Sequence, residues 1–192
     1  MGKDHAMGLA MIPRLRSANT ALVVVDMQER LLPAIHEHER VIANVRLLLR
    51  AAATLELPVV MTTQYLKGLG PTHALISELA LGRAPLDKLT FSCFGSADFN
   101  QEVAATRATS LLLCGVEAHI CVLQTGLDAL AKGFQVHVVT DATGSRTAAN
   151  AMLGHRRLES AGAILSCAEM AIYELLGASG TAAFKALLPH FK

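Results

Sequence analysis

Hydrophobic residues fall along this 192-residue chain in short unbroken runs, separated by longer stretches with helical spacing. Four runs are Val- or Leu-rich at successive positions: ALVVVD (Ala21–Asp26), PVVMTT (Pro58–Thr63), SLLLCG (Ser110–Gly115) and QVHVVTD (Gln135–Asp141). Apolar residues that do not alternate with polar ones mark parallel strands covered on both faces. AILSC (Ala163–Cys167) is a shorter run of the same kind, and a weaker one lies near Pro85–Lys88. Between the runs, His38–Leu57 places Val41, Val45, Leu48 and Ala52 on one helical stripe. Phe99–Ala108, Ile120–Lys132 and Ala148–Ala161 carry similar stripes, and Gly133 is placed to stop the second of these three. Met170–Leu176 and Thr181–Leu188 read as short C-terminal helices. The longest irregular stretch, Gln64–Thr72, contains Gly68, Gly70 and Pro71, and such loops often rim binding sites. This alternation predicts an α/β fold with a doubly wound parallel sheet and right-handed crossovers.

Composition narrows the picture. The length suits one domain, and a chain of this size buries about 70% of its unfolded surface. Neither disulfides nor a structural metal is then required. A hydrophobic content of 52% with only 4% aromatics favours a helix-rich α/β interior over a β-sandwich. The formal net charge is +1, basic residues form no long run, and aromatics are too few for base stacking, so no nucleic-acid partner is expected. No apolar stretch reaches the roughly 18 residues of a membrane span, so no membrane partner is expected either. Residues 1–17 read as a flexible leader ahead of a domain over residues 18–192. The leader lacks the apolar core of a secretory signal, although Arg14 and Arg16 leave organelle import open. The four cysteines form no C-x-x-C pair, which fits a reducing, cytoplasmic setting. Cys114 and Cys167 close apolar runs and read as buried packing residues.

In open α/β sheets, ligands bind beyond the carboxyl ends of the strands. Asp26 ends the first strand, Lys88 ends the weak third one, and Cys121 follows the Ser110–Gly115 strand after a short turn, where a helix begins. A free thiol with a pKa near 8.5 is only about 3% ionised at pH 7. A helix N-terminus and a nearby cation lower that pKa, and the same amides can hold a developing oxyanion. Each residue also has a plainer reading: Cys121 as a small buried hydrophobe, Asp26 as a helix cap, and Lys88 as a solvated lysine beside Asp87. On the functional reading, Asp26 is a general base that takes the thiol proton and returns it to a leaving group. Gln28 then supports it or contacts substrate, and Lys88 stabilises thiolate and oxyanion charge.

Three motifs, VVVDMQERLLPAI, DKLTFSCF and CGVEAHICVLQTGLDAL, occur in that order. Together they resemble the isochorismatase-like cysteine hydrolase superfamily over roughly residues 18–189. TQYLKGLGPT and VTDATGSR resemble its isochorismatase domain-containing subgroup. The resemblance implies a three-layer α/β/α, Rossmann-like fold with a six-stranded parallel sheet and a triad of Asp26, Lys88 and Cys121. It also implies a cis peptide bond between Val116 and Glu117, with the Glu117 and Cys121 amides forming an oxyanion hole. The implied activity is cysteine-dependent hydrolysis of a small-molecule amide through a thioester on Cys121. No cofactor is implied, and the chain is expected to form a homo-oligomer, a dimer or larger.

Nicotinamidases of the superfamily carry a metal-binding Asp-x-His segment after the second strand. The corresponding TTQYLKG has no histidine, so no metal is expected. Gln28, Tyr65, Phe91 and His119 are candidate substrate contacts, with Phe94 a further candidate pocket wall. His119 also suits a helix-start or interface histidine, and single aromatics are more often core. Cys93 could pair with Cys121 on oxidation. Three rival functions stand beside amide hydrolysis: cleavage of a vinyl ether, thiol transfer, and non-catalytic binding at a degenerate site.

Overall fold

The computed structural model describes residues 12–80, 82 and 84–191, so the first eleven residues of the expected leader lie outside the described residues. Six strands form one sheet: β1 (Thr20–Val25), β2 (Val59–Gln64), β3 (Leu86–Lys88), β4 (Ser110–Val116), β5 (Gln135–Gly144) and β6 (Ile164–Ser166). They lie in the order β3-β2-β1-β4-β5-β6, and every neighbouring pair is parallel. The chain winds outward in one direction from β1 and in the other from β4. A crevice is therefore left open at the carboxyl ends of these two strands.

Every residue of β1 and β4 is buried, which is why their sequences do not alternate. On one face Leu22, Val24, Leu112 and Cys114 join a core with helices α1 (His38–Thr54) and α7 (Ala168–Leu176). The expected stripe of Val41, Val45, Leu48 and Ala52 faces this core. On the other face Val23, Val25, Leu111 and Leu113 pack with Phe99 and Val103 of α4 (Ala97–Thr106), Val122 and Ala129 of α5 (Cys121–Ala131), and Leu158 of α6 (Ala148–Ser160). Helix–sheet–helix is thus a three-layer α/β/α fold. Each fully buried aliphatic or Phe side chain contributes about 1.5–3 kcal/mol. Among the described residues no helix is long and apolar enough to cross a membrane.

Several boundaries differ from expectation for local reasons. Leu15 is buried in the first core, so packing begins inside the segment read as leader. The stretch Gln64–Thr72 contains a single helical turn, α2 (Leu66–Leu69), and α3 (Ala74–Ser77) follows it; neither is long enough to show a period. Helix α8 (Ala182–Leu187) packs against α1, and a 3-10 turn, Leu188–Phe191, follows it. Cys114 is buried, but Cys167 is not a packing residue. The strand stops at Ser166, and the half-buried Cys167 sulfur accepts from the Met170 amide at 3.4 Å as the N-cap of α7. Gly115 adopts φ +108°, and a side chain there would collide with the Val25 carbonyl oxygen. Glycine therefore lets β4 close on the end of β1.

His137 lies within β5, buried, with neither ring nitrogen bonded to any protein group. Burial pushes its pKa below the usual histidine value. The neutral form is the folded form, so this contribution is complete above about pH 6.5. It is lost as pH falls below that value, by about 1.4 kcal/mol per pH unit, until the folded-state pKa is reached. His137→Leu should flatten the acid limb of stability. Denaturant midpoints at pH 7 and pH 5 check this: the wild-type midpoint should fall more steeply than the variant's, and parallel losses would contradict it.

Candidate active site

Asp26 follows β1 with φ +50°, a left-handed conformation that aspartate tolerates better than most residues. Its amide donates to Thr62 O at 3.2 Å, which ties it to the end of β2. The carboxylate is fully buried. Oδ1 accepts from Thr62 Oγ1 and Oδ2 accepts from Lys88 Nζ, both at 2.8 Å. Strand β3 is only three residues long and delivers Lys88 opposite Gln64 of β2. The ammonium also donates to Gln64 Oε1 at 2.7 Å, Thr90 O at 3.2 Å and Phe91 O at 3.3 Å. Burial works to lower the Lys88 pKa, but the charges of Asp26, Cys93 and Cys121, with the Asp26 hydrogen bond, raise it overall. Lysine and aspartate therefore form a buried, fully bonded ion pair.

Cys121 is the first residue of α5, so its amide belongs to the helix turn that lacks internal acceptors. The sulfur lies 3.9 Å from Gln64 Oε1 and is nearly buried. Burial pushes the thiol pKa up, and Asp26 adds to this through its charge and a hydrogen bond; Lys88 opposes it only by charge. The expectation of a lowered thiol pKa is therefore corrected. The ammonium is neutralised by Asp26, and its protons are committed to other acceptors. In the resting site Cys121 is a thiol.

The turn between β4 and α5 is clamped from the end of β5. The Val116–Glu117 peptide bond is cis. The Glu117 carboxylate accepts from Arg146 N at 3.0 Å and Arg146 Nη2 at 2.7 Å. Burial opposes its ionisation, but these bonds hold its pKa below the ordinary value. Ala118 N donates to Gly144 O at 2.7 Å, and His119 Nδ1 lies 2.9 Å from Ser145 Oγ. His119 is thus half-buried and fixed to β5's exit, two residues before the sulfur.

The remaining candidates separate. Gln28 is fully buried, with its amide bonded to Gln64 O, Gly70 O and Gln64 N, so it supports the end of β2 and has no group left for substrate. Tyr65 is exposed, its ring lying over Gly68. Phe91 reaches the site with its carbonyl, while its exposed ring lines an open cleft of about 750 Å³ with Leu89, Thr90 and Gln124. Phe94 stacks edge-on against Phe99 at 5.1 Å and belongs to the core. Cys93 is buried with its thiol pushed up to about 11 by burial and by Asp26, and both it and Cys121 are free. Its sulfur lies 3.7 Å from Thr62 Oγ1, whose proton goes to Asp26. Among the described residues no group of three or more His, Cys, Asp or Glu side chains is arranged to hold a metal.

Two site residues were not foreseen, Thr62 and Gln64. Both lie at the carboxyl end of β2, two positions apart on the face carrying Val60, which packs with Cys93 and Cys121. Period-two alternation from Val60 was the available signal.

Fold and site define a doubly wound α/β protein with a thiol, a carboxylate and an ammonium gathered at the carboxyl ends of its strands. The isochorismatase domain model matches residues 20–170, and the chain belongs to that family. It is 38% identical to isochorismatase domain-containing protein 2 of Macaca fascicularis over 174 residues, 90% of this chain and 82% of that one. The structure of Mar1 ribonuclease from Caenorhabditis elegans is similar with a TM-score of 0.87 and 36% identity, covering 93% and 92% of the two chains. YcaC of Escherichia coli, described as an octameric hydrolase of unknown specificity, gives 0.88 and 27% over 93% and 91%.

The ion pair yields a stability prediction. Removing one partner of a buried pair strands the other charge, at about 3–5 kcal/mol. Lys88→Met should lose stability in that range, and Lys88→Met with Asp26→Asn, which keeps a residue suited to φ +50°, should recover much of it. A double-mutant cycle in denaturant measures the coupling, and additive losses would contradict the pairing.

Proposed function

We propose that the protein is a cysteine-dependent hydrolase that cleaves the C–N bond of a small amide through a thioester on Cys121. The observation that carries this reading is the buried Asp26 carboxylate, which is paired with Lys88 at 2.8 Å and lies close enough to the Cys121 thiol for its charge to push that thiol's pKa up, second to burial. One buried carboxylate thereby serves as the base for the sulfur's proton while an ammonium stabilises its charge.

Asp26 accepts the S–H proton as sulfur attacks the substrate carbonyl carbon. The carbonyl oxygen gathers negative charge, which the Glu117 and Cys121 amides stabilise. Collapse breaks the C–N bond, and protonated Asp26 gives its proton to the leaving amine. Asp26 then takes a proton from water, the resulting hydroxide attacks the thioester, and the acid leaves as the thiol is restored. Lys88 keeps its charge throughout and holds the carboxylate in place. His119 and the exposed rings of Tyr65 and Phe91 are proposed to meet the rest of the substrate.

A free thiol site suits a reducing, cytoplasmic compartment. The octameric description of YcaC supports self-association, and exposed Met170 and Tyr173 on α7 offer apolar surface for it. The worm relative is called a ribonuclease, but a net charge of +1, six Phe, two Tyr and no Trp favour a small molecule over a polyanion here.

Cys121→Ala should abolish amide turnover while leaving the circular dichroism spectrum unchanged. Assays of small amides beside isochorismate, with wild type and variant, check this. Undiminished hydrolysis by a folded variant refutes the reading, and turnover of isochorismate alone replaces it with vinyl ether cleavage.

A further inference from the structure

Gln64 ends β2 directly opposite Lys88 in the β2–β3 register. Its amide is fixed from behind. Nε2 donates to Leu89 O at 2.9 Å, and the backbone N–H donates to Gln28 Oε1 at 2.8 Å. Oε1 is left facing the site, where it accepts from Lys88 Nζ at 2.7 Å and from Cys121 Sγ at 3.9 Å. An amide oxygen has lone pairs and no proton. Its contact with sulfur is therefore attractive only while sulfur keeps its own hydrogen, and against a thiolate two acceptors meet. The Lys88 ammonium has three N–H groups, yet Gln64 Oε1, Asp26 Oδ2, Thr90 O and Phe91 O all surround it. No N–H remains to hold an ionised sulfur.

We propose that Gln64 is a positioning residue, a latch whose single amide oxygen joins the Cys121 S–H to the Lys88 ammonium and keeps the sulfur protonated until Asp26 removes the proton. This rests on the cysteine-hydrolase reading and adds a control to it. The resting enzyme holds a thiol, which is less open to stray alkylation and oxidation than a thiolate. In the chemical step the S–H bond breaks and an O–H bond forms on Asp26. Gln64 then repels the new thiolate, favouring its addition to the carbonyl carbon.

The test uses the full chain, iodoacetamide and peptide-level mass spectrometry, following alkylation of Cys121 against pH without substrate. Gln64→Leu removes the acceptor beside sulfur and leaves Lys88 with one competitor fewer for its N–H groups. The midpoint should fall by about one pH unit, with alkylation at pH 7 about tenfold faster. Gln64→Glu keeps the shape and adds negative charge, so the midpoint should rise. If the leucine variant does not fold, the glutamate variant carries the test by its opposite sign. Midpoints that stay put in a folded variant, or move the same way in both, overturn the latch. A fall with leucine and a rise with glutamate, in a protein that hydrolyses no amide, sinks the hydrolase reading and leaves the latch standing.

Discussion

One ion pair organises this molecule's chemistry. Asp26 and Lys88 meet at 2.8 Å with side chains 0% and 1% exposed. Taking each charge out of water costs several kcal/mol, and the pair survives only if its other hydrogen-bonding capacity is met. Thr62, Gln64 and the carbonyls of Thr90 and Phe91 meet it. A buried pair of this kind is weak evidence for stability, since apolar residues of similar volume often serve as well. Its value lies in what it presents to a third group. Strand β3, short and at the sheet edge, delivers the ammonium, and Gly115 with the clamped turn after β4 brings the sulfur in from the other side.

The pair also decides the state of the sulfur. A cation beside a cysteine at a helix start ordinarily favours thiolate. Here the cation is already spent on a carboxylate, and burial acts on the thiol with the same sign as that carboxylate. For the hydrolase proposed above, the consequence is a nucleophile that forms as it reacts. On the proposed mechanism, proton removal and attack are coupled through Asp26, and the cost of making a buried thiolate is met only when a carbonyl is present to receive it.

The fold was largely legible because the central strands are buried on both faces, and such strands leave unbroken runs such as ALVVVD and SLLLCG. Asp26 and Lys88 were legible because they stand where runs end, and Cys121 because it opens the helix after the turn that follows one. Thr62 and Gln64 were not, because their importance comes from β2 lying between β1 and β3, and a neighbour relation across the sheet leaves no local mark. Gln28 left its two expected readings, support or substrate contact, undecided for a related reason. It follows β1 in sequence, but its partners are 36 and 42 residues away and consume its amide. Single turns such as α2 and α3, and the capping role of Cys167, are settled by packing and backbone geometry with no periodic signature.

If Asp26, held by Lys88, takes the proton that makes Cys121 a nucleophile, acylation of the sulfur must depend on that carboxylate. Acid-quenched single-turnover mass spectrometry with an activated amide tests it most directly, comparing wild type with Asp26→Asn. Wild type should show an acyl mass on the Cys121 peptide within the first turnover, and the variant almost none. Amide cleavage without any adduct, an adduct on another residue, or equal acylation of both proteins would contradict it.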